Sequence, residues 1–183
     1  MRVLVLMSGG LDSAACAAEA VAEGHEVRGL FFSWGQPARR EELRAAREQE
    51  ALLGVRLHTM RAVVQADDLM HAAPGEPGPR VVPGRNLLFL ALAANFGASI
   101  GAGEIRIGCT AADAADYEDC RASFVSALSA LSPVPISAPL VALGRREVRR
   151  IVELHGLPQS AVWSCYAPSS PGVPCGACNS CSQ

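Results

Sequence analysis

The feature that most constrains the fold is an alternation. A short apolar run is followed by a longer stretch with helical character, and the pair recurs along the chain. Residues 2–7 (RVLVLM), 26–32 (EVRGLFF), 55–60 (VRLHTM) and 104–108 (EIRIG) read as strands. Helices are expected over 12–23, from the turn at 33–37 to Leu53, over 86–100 and over 117–131. Gly24 and Gly54 stop the first two, and Ser132-Pro133 stops the last. Residues 134–140 read as extended, and 145–155 as a further helix ended by Gly156-Leu157-Pro158. Strands separated by helices need crossover connections. The expectation is therefore an α/β fold, a parallel sheet with helices on both faces.

The chain has 183 residues, half of them apolar and 19% charged, enough for one domain with a sizeable core. No apolar stretch reaches the ~18–20 residues of a membrane span, and no secretory signal is visible, so the expected location is cytoplasmic. A net charge of −2 gives no support for broad nucleic-acid binding. All sixteen basic residues are arginine, so no lysine here serves as a phosphate contact or nucleophile.

The first strand ends in SGGLDS, residues 8–13. Glycines let backbone N–H groups approach a ligand, and the following helix N-terminus adds free donors and partial positive charge. That combination is an anion site, and phosphate is its common occupant. Ser8 and Ser13 add hydroxyls. Asp12 would repel an anion unless a metal ion lies between them, or it is simply a helix cap. The spacing is neither a Walker loop nor GxGxxG.

Four of the seven cysteines crowd the end of the chain as Cys165-x9-Cys175-x2-Cys178-x2-Cys181. Four thiolates suit tetrahedral zinc in a closed, structural site. The CxxCxxC run also fits an iron–sulfur cluster, or a redox dithiol. Residues 163–183 therefore read as a small metal-holding appendage on a core of 1–162. A loop dense in Pro and Gly at 74–84 leads to VPGRN (82–86). Residues 108–121 (GCTAADAADYEDCR) follow the fourth strand, where parallel sheets bind ligands. On their own these acidic residues also suit a solvated loop, and Cys120 a packed thiol.

SGGLDS resembles the pyrophosphatase-loop signature SGGxDS of the ATP-dependent adenylating enzymes. In order along the chain stand SGGLDS, WGQ with REEL, VPGRN, G-x4-D-x3-Y-x-D-C-R, SCY and CGxCxxC. Together they resemble the QueC family of 7-cyano-7-deazaguanine synthases, over nearly the whole chain. The resemblance implies a HUP-like core (adenine nucleotide α-hydrolase-like) with a C-terminal four-cysteine zinc knuckle. It implies a ligase that uses ATP, Mg2+ and ammonia to turn 7-carboxy-7-deazaguanine into the nitrile preQ0, releasing AMP and pyrophosphate. It also implies structural Zn2+ and a homodimer.

Residue by residue, the resemblance puts ATP on Ser8, Gly9, Gly10, Leu11, Asp12 and Ser13. Substrate falls to Arg85, Asn86, Asp113, Tyr117, Asp119 and Arg121, and zinc to Cys165, Cys175, Cys178 and Cys181. Asp12, Ser13, Arg85 and Asp119 are the expected catalytic set. The chain departs from the family pattern in three places. Trp34-Gly35-Gln36-Pro37-Ala38-Arg39 replaces a YGQ followed by His-Arg, Arg145 or Arg146 stands for a lysine, and the segment before VPGRN is short. Three other readings compete: another adenylating amide- or thio-transfer enzyme of this fold, a non-catalytic zinc-bearing interaction protein, and a tRNA binder using RREVRR (145–150). For that last segment, Val148 and Ile151 at helical spacing favour a solvated arginine face.

Overall fold

The computed structural model describes residues 1–64, 82–178, 180 and 181. Five strands form one parallel sheet: β1 (Arg2–Leu6), β2 (Glu26–Ser33), β3 (Arg56–Arg61), β4 (Glu104–Arg106) and β5 (Ile136–Ser137). Their order is β3-β2-β1-β4-β5, with Val3 opposite Val27 on one side and Glu104 on the other. The chain leaves β1 in one direction along the sheet and returns to its other side at β4. The carboxyl ends of β1 and β4 thus flank a topological switch point, where open α/β sheets bind ligands.

Alternation along β1 sorts the core into two layers. Val3, Val5 and Met7 face α1 (Leu11–Ala22) and α2 (Arg39–Leu53). Leu4 faces α3 (Arg85–Ser99). The alanines of α1 bury Ala14, Ala15, Ala17, Ala18 and Ala20, so this helix lies close on the sheet. Phe89, Leu90, Ala93 and Ala94 of α3 recur at helical spacing on the opposite face. Each fully buried Val or Leu contributes about 1.5–3 kcal/mol, so these two layers hold most of the fold.

The segment after β4 differs from its expected shape. Instead of one helix over 117–131 there are α4 (Ala111–Asp116), a 3-10 turn (Glu118–Cys120) and α5 (Ala122–Leu131). Thr110 starts α4 early through a capping box: its side chain accepts from Asp113 N–H, and the Asp113 carboxylate accepts from Thr110 N–H. Tyr117 is extended (φ −124°, ψ 122°) and breaks the run. β5 is a two-residue remnant of the extended stretch 134–140. α6 (Arg145–Leu154) buries Val148 and Val152 and exposes Arg146, Arg149 and Arg150, the solvated face. Most of the Pro- and Gly-rich loop at 74–84 and the short segment before VPGRN lie outside the described residues. Among the described residues no helix is long and apolar enough to cross a membrane.

Candidate active site

The β1–α1 turn is fixed from four directions. Gly9 has φ +82°, and a Cβ there would come within 2.3 Å of the Glu42 carbonyl oxygen, so only glycine fits. Its own carbonyl accepts from Trp163 N–H (2.9 Å) and from the buried Gln49 Nε2 (3.0 Å). Gln49 Nε2 also donates to Ala161 O at 2.8 Å. Ser13 Oγ donates to Gly10 O (3.0 Å) and lies 3.2 Å from Ser8 Oγ. Gly10 caps α1 through its backbone, with no side-chain cap, so neither Asp12 nor Ser13 is the N-cap. Asp12 lies in the first turn instead.

A cavity of about 340 Å³ opens at this turn and runs across the carboxyl ends of β1, β2 and β4. Ser8, Gly10, Leu11, Asp12 and Ser13 line one end of it. Arg85, Asn86, Asp113, Tyr117 and Asp119 come to the same cavity from α3 and the post-β4 segment. Gly9 sits behind the turn, against α2. Arg121 is not brought there: it caps α5, and its guanidinium donates to Ala114 O (3.2 Å) and pairs with Glu118.

Burial pushes the Asp12 carboxyl up to about 6, aided by the negative charge of Asp113 and opposed by Arg145. Arg145, not the exposed Arg146, is thus the arginine that reaches the cavity. Asn86 is buried. Its backbone N–H donates to Asp119 Oδ2 (3.3 Å), and its side-chain amide donates to Asp119 O and Cys120 Sγ. The Asp113 carboxylate is occupied by Thr110, accepting from its N–H at 2.9 Å and its hydroxyl at 2.7 Å. Cys109 and Cys120 are both buried in the cavity wall. A hydrogen bond between them, followed by burial, pushes the Cys109 thiol up and away from the nucleophilic thiolate.

An aromatic wall completes the cavity. Phe32 stacks on Phe89 with centroids 4.4 Å apart, Trp34 meets Phe89 edge-on, and the Arg85 guanidinium lies 5.7 Å from the Trp34 ring centre. Gln36 is buried. Its Oε1 accepts from Trp34 N–H (2.9 Å), and its Nε2 donates to Phe32 O (2.9 Å) and Glu42 Oε2 (3.0 Å). Trp34, Gln36, Glu42, Trp163, Ser164 and Tyr166 all line the cavity, although sequence reasoning gave them no site role. WGQ and REEL were the signal for the first three.

The four tail cysteines converge. The Sγ atoms of Cys165, Cys175, Cys178 and Cys181 all lie within 4.8 Å of one another. Tetrahedral zinc with Zn–S bonds of about 2.3 Å sets its sulfurs roughly 3.8 Å apart. The set therefore fits such an ion with small adjustment. Gly176 has φ +71°, which turns the chain between Cys175 and Cys178, and Cys175 N–H donates to Cys165 Sγ (3.2 Å). Backbone N–H groups of Ala177 and Cys178 hold the Cys175 thiol down to about 6. The cluster packs on Ala38, Ala45 and Trp163, and Trp163 Nε1 donates to Cys165 O (2.8 Å). The cysteine cluster and the β1–α1 turn thus meet at Trp163 and Ala45.

The model of the queuosine biosynthesis protein QueC family matches residues 2–183. A 7-cyano-7-deazaguanine synthase of Synechococcus elongatus is 36% identical over 98% of this chain and 87% of its own length. One from Azotobacter vinelandii is 35% identical over 98% of this chain and 90% of its own. Among solved structures, the NMN synthetase of Francisella tularensis matches with a TM-score of 0.61 at 18% identity, over 95% of this chain and 73% of that one. A 4-thiouridine synthetase in an RNA complex with bound ATP matches at 0.59 and 17%, over 94% of this chain and 46% of that one. These two establish the fold.

Proposed function

Because this chain belongs to the QueC family, we propose that it converts 7-carboxy-7-deazaguanine to 7-cyano-7-deazaguanine with ATP and ammonia, releasing AMP and pyrophosphate. The observation that carries this reading is the single cavity that joins the SGGLDS turn to Arg85, Asn86, Tyr117 and Asp119. The substrate carboxylate attacks the α-phosphorus of ATP, and pyrophosphate leaves toward the turn. Ammonia displaces AMP to give the amide. The amide oxygen is then adenylated by a second ATP, and loss of AMP and a proton leaves the nitrile.

The chain's own groups divide this work. Free N–H groups at the start of α1 and the hydroxyls of Ser8 and Ser13 take the phosphates. Arg85 supplies positive charge across the cavity from the turn, and Arg145 does so in place of a lysine, with a fork that suits phosphate oxygens. Asn86 holds Asp119 in place, and Tyr117 with the aromatic wall encloses a flat base. Asp12, unfavourably buried beside Asp113, is the residue that would hold Mg2+, which neutralises phosphate charge. The four tail cysteines would hold Zn2+ with no open position, so its job is structural. Arg121 has no part, since it lies outside the cavity. The proposal includes a homodimer in the cytoplasm.

The thio-transfer alternative loses support from Cys109, whose buried thiol is pushed up by its hydrogen bond to Cys120. The test is mass spectrometry of products from ATP, ammonium and 7-carboxy-7-deazaguanine. The nitrile with AMP is the expected outcome. ATP consumed without conversion of that acid, or product formed at full rate by a folded Asp12→Ala variant, would overturn the reading or its metal role respectively.

A further inference from the structure

Glu42 is a cavity carboxylate that the reading above leaves without a task. It lies in the first turn of α2, and its carbonyl oxygen abuts Gly9 of the phosphate-binding turn. Its side chain lines the cavity, where Oε2 accepts from Gln36 Nε2 at 3.0 Å. Gln36 is not free to turn, because its oxygen already takes Trp34 N–H and its nitrogen also serves Phe32 O. The carboxylate is therefore held by a neutral donor. Among the described residues it has no salt bridge.

The other cavity carboxylates are committed or exposed. Asp12 faces the metal and phosphates. Asp113 is closed by Thr110, Asp119 accepts from the Asn86 backbone, and Asp116 is exposed at the rim. The charged groups that act on Glu42 are Arg85 from α3 and Glu41 beside it on α2, whose own carboxylate accepts from Gly172 N–H. Burial outweighs the hydrogen bond from Gln36 and the charge of Arg85 and pushes Glu42 up to about 7, an acid–base group poised near neutrality.

The reaction needs such a group. Ammonia at neutral pH is almost all ammonium, which has no lone pair. We propose that Glu42 binds ammonium beside the phosphate turn and takes its proton, releasing ammonia onto the adenylated carbonyl. An N–H bond breaks and its proton passes to the Glu42 carboxylate. The freed lone pair forms the C–N bond, and the C–O bond to AMP breaks with its electron pair. The nitrogen sheds a second proton to solvent, and Glu42 returns its own to solvent before the next turnover.

This rests on the proposed function, so the experiment separates the two. ATP–pyrophosphate exchange dependent on 7-carboxy-7-deazaguanine, in the wild type, reads adenylation alone, and its absence would remove both readings. With exchange established, Glu42→Gln and Glu42→Asp are compared with ammonium and with hydroxylamine, a nucleophile uncharged at neutral pH. Glu42→Gln should lose about 100-fold more rate with ammonium than with hydroxylamine. Glu42→Asp should recover part of that loss, and alkaline pH should narrow the gap as free ammonia rises. Equal losses with both nucleophiles, or amination by Glu42→Gln at the wild-type rate, would overturn the proposal.

Discussion

Gly108 marks where the segment after β4 presses on the β1–α1 turn. A Cβ at this position would lie 2.7 Å from Asp12 O, 2.8 Å from Asp12 C and 2.9 Å from Ser13 N. All three are backbone atoms, so no rotamer change relieves the contact. In Gly108→Ala the segment after β4 and the first turn of α1 must separate by roughly 0.7 Å to reach ordinary contact distance. Overpacking of this kind costs about 1–3 kcal/mol of stability. A misplacement near 1 Å costs about 100-fold in rate, so a shift of this size should lower adenylation roughly tenfold. The assays are the pyrophosphate-exchange rate and the urea midpoint. Gly54→Ala is the control: its φ of +65° makes it strained, but nothing lies within 4 Å of its Cβ, and it caps the end of α2 opposite Glu42. It should lose stability and keep its exchange rate. Gly108→Ala with wild-type stability and exchange within twofold of wild type would refute the claim that this contact positions Asp12.

Metal analysis of the purified protein should give about one zinc per chain, and Cys178→Ser, at a buried ligand, should lower both zinc content and melting temperature; absorption from iron, or a fully stable zinc-free protein, would contradict this. Glu42 carries a signed pH dependence, because its folded value is raised from 4.5 to about 7. The folded state holds that proton where the unfolded state has lost it, so stability falls as pH rises through this window. Melting temperature against pH should show that slope in the wild type, and Glu42→Gln should reduce it, leaving the part that Asp12, raised from 3.8 to about 6, contributes.

Some of the site was plain in the residue string because its chemistry is local. SGGLDS sits in six consecutive residues between a strand and a helix, and the cysteine spacing states its own geometry. The parallel sheet followed from the alternation of runs. What the string could not show depends on contacts made at long range. Gln49 reads as one more polar residue of a charged helix, yet it is fully buried and bonds two carbonyls in distant segments. Asp113 reads as a ligand-facing acid, and its capping role is visible only once Thr110 is seen to start a helix. Arg121 belongs to the same motif as Tyr117, but one turn of backbone aims it elsewhere.

The hydrogen bond from Trp163 N–H to Gly9 O gives the chain an order of assembly. All the named strands and α1 through α6 precede residue 163, so the segment that locks the β1–α1 turn follows every element of the sheet. The turn is built by residues 8–13 and fastened by one that lies 150 positions further along the chain. Every named strand stands without that bond, whereas the turn depends on it. The four-cysteine segment thus acts as a clasp on the turn, through Trp163.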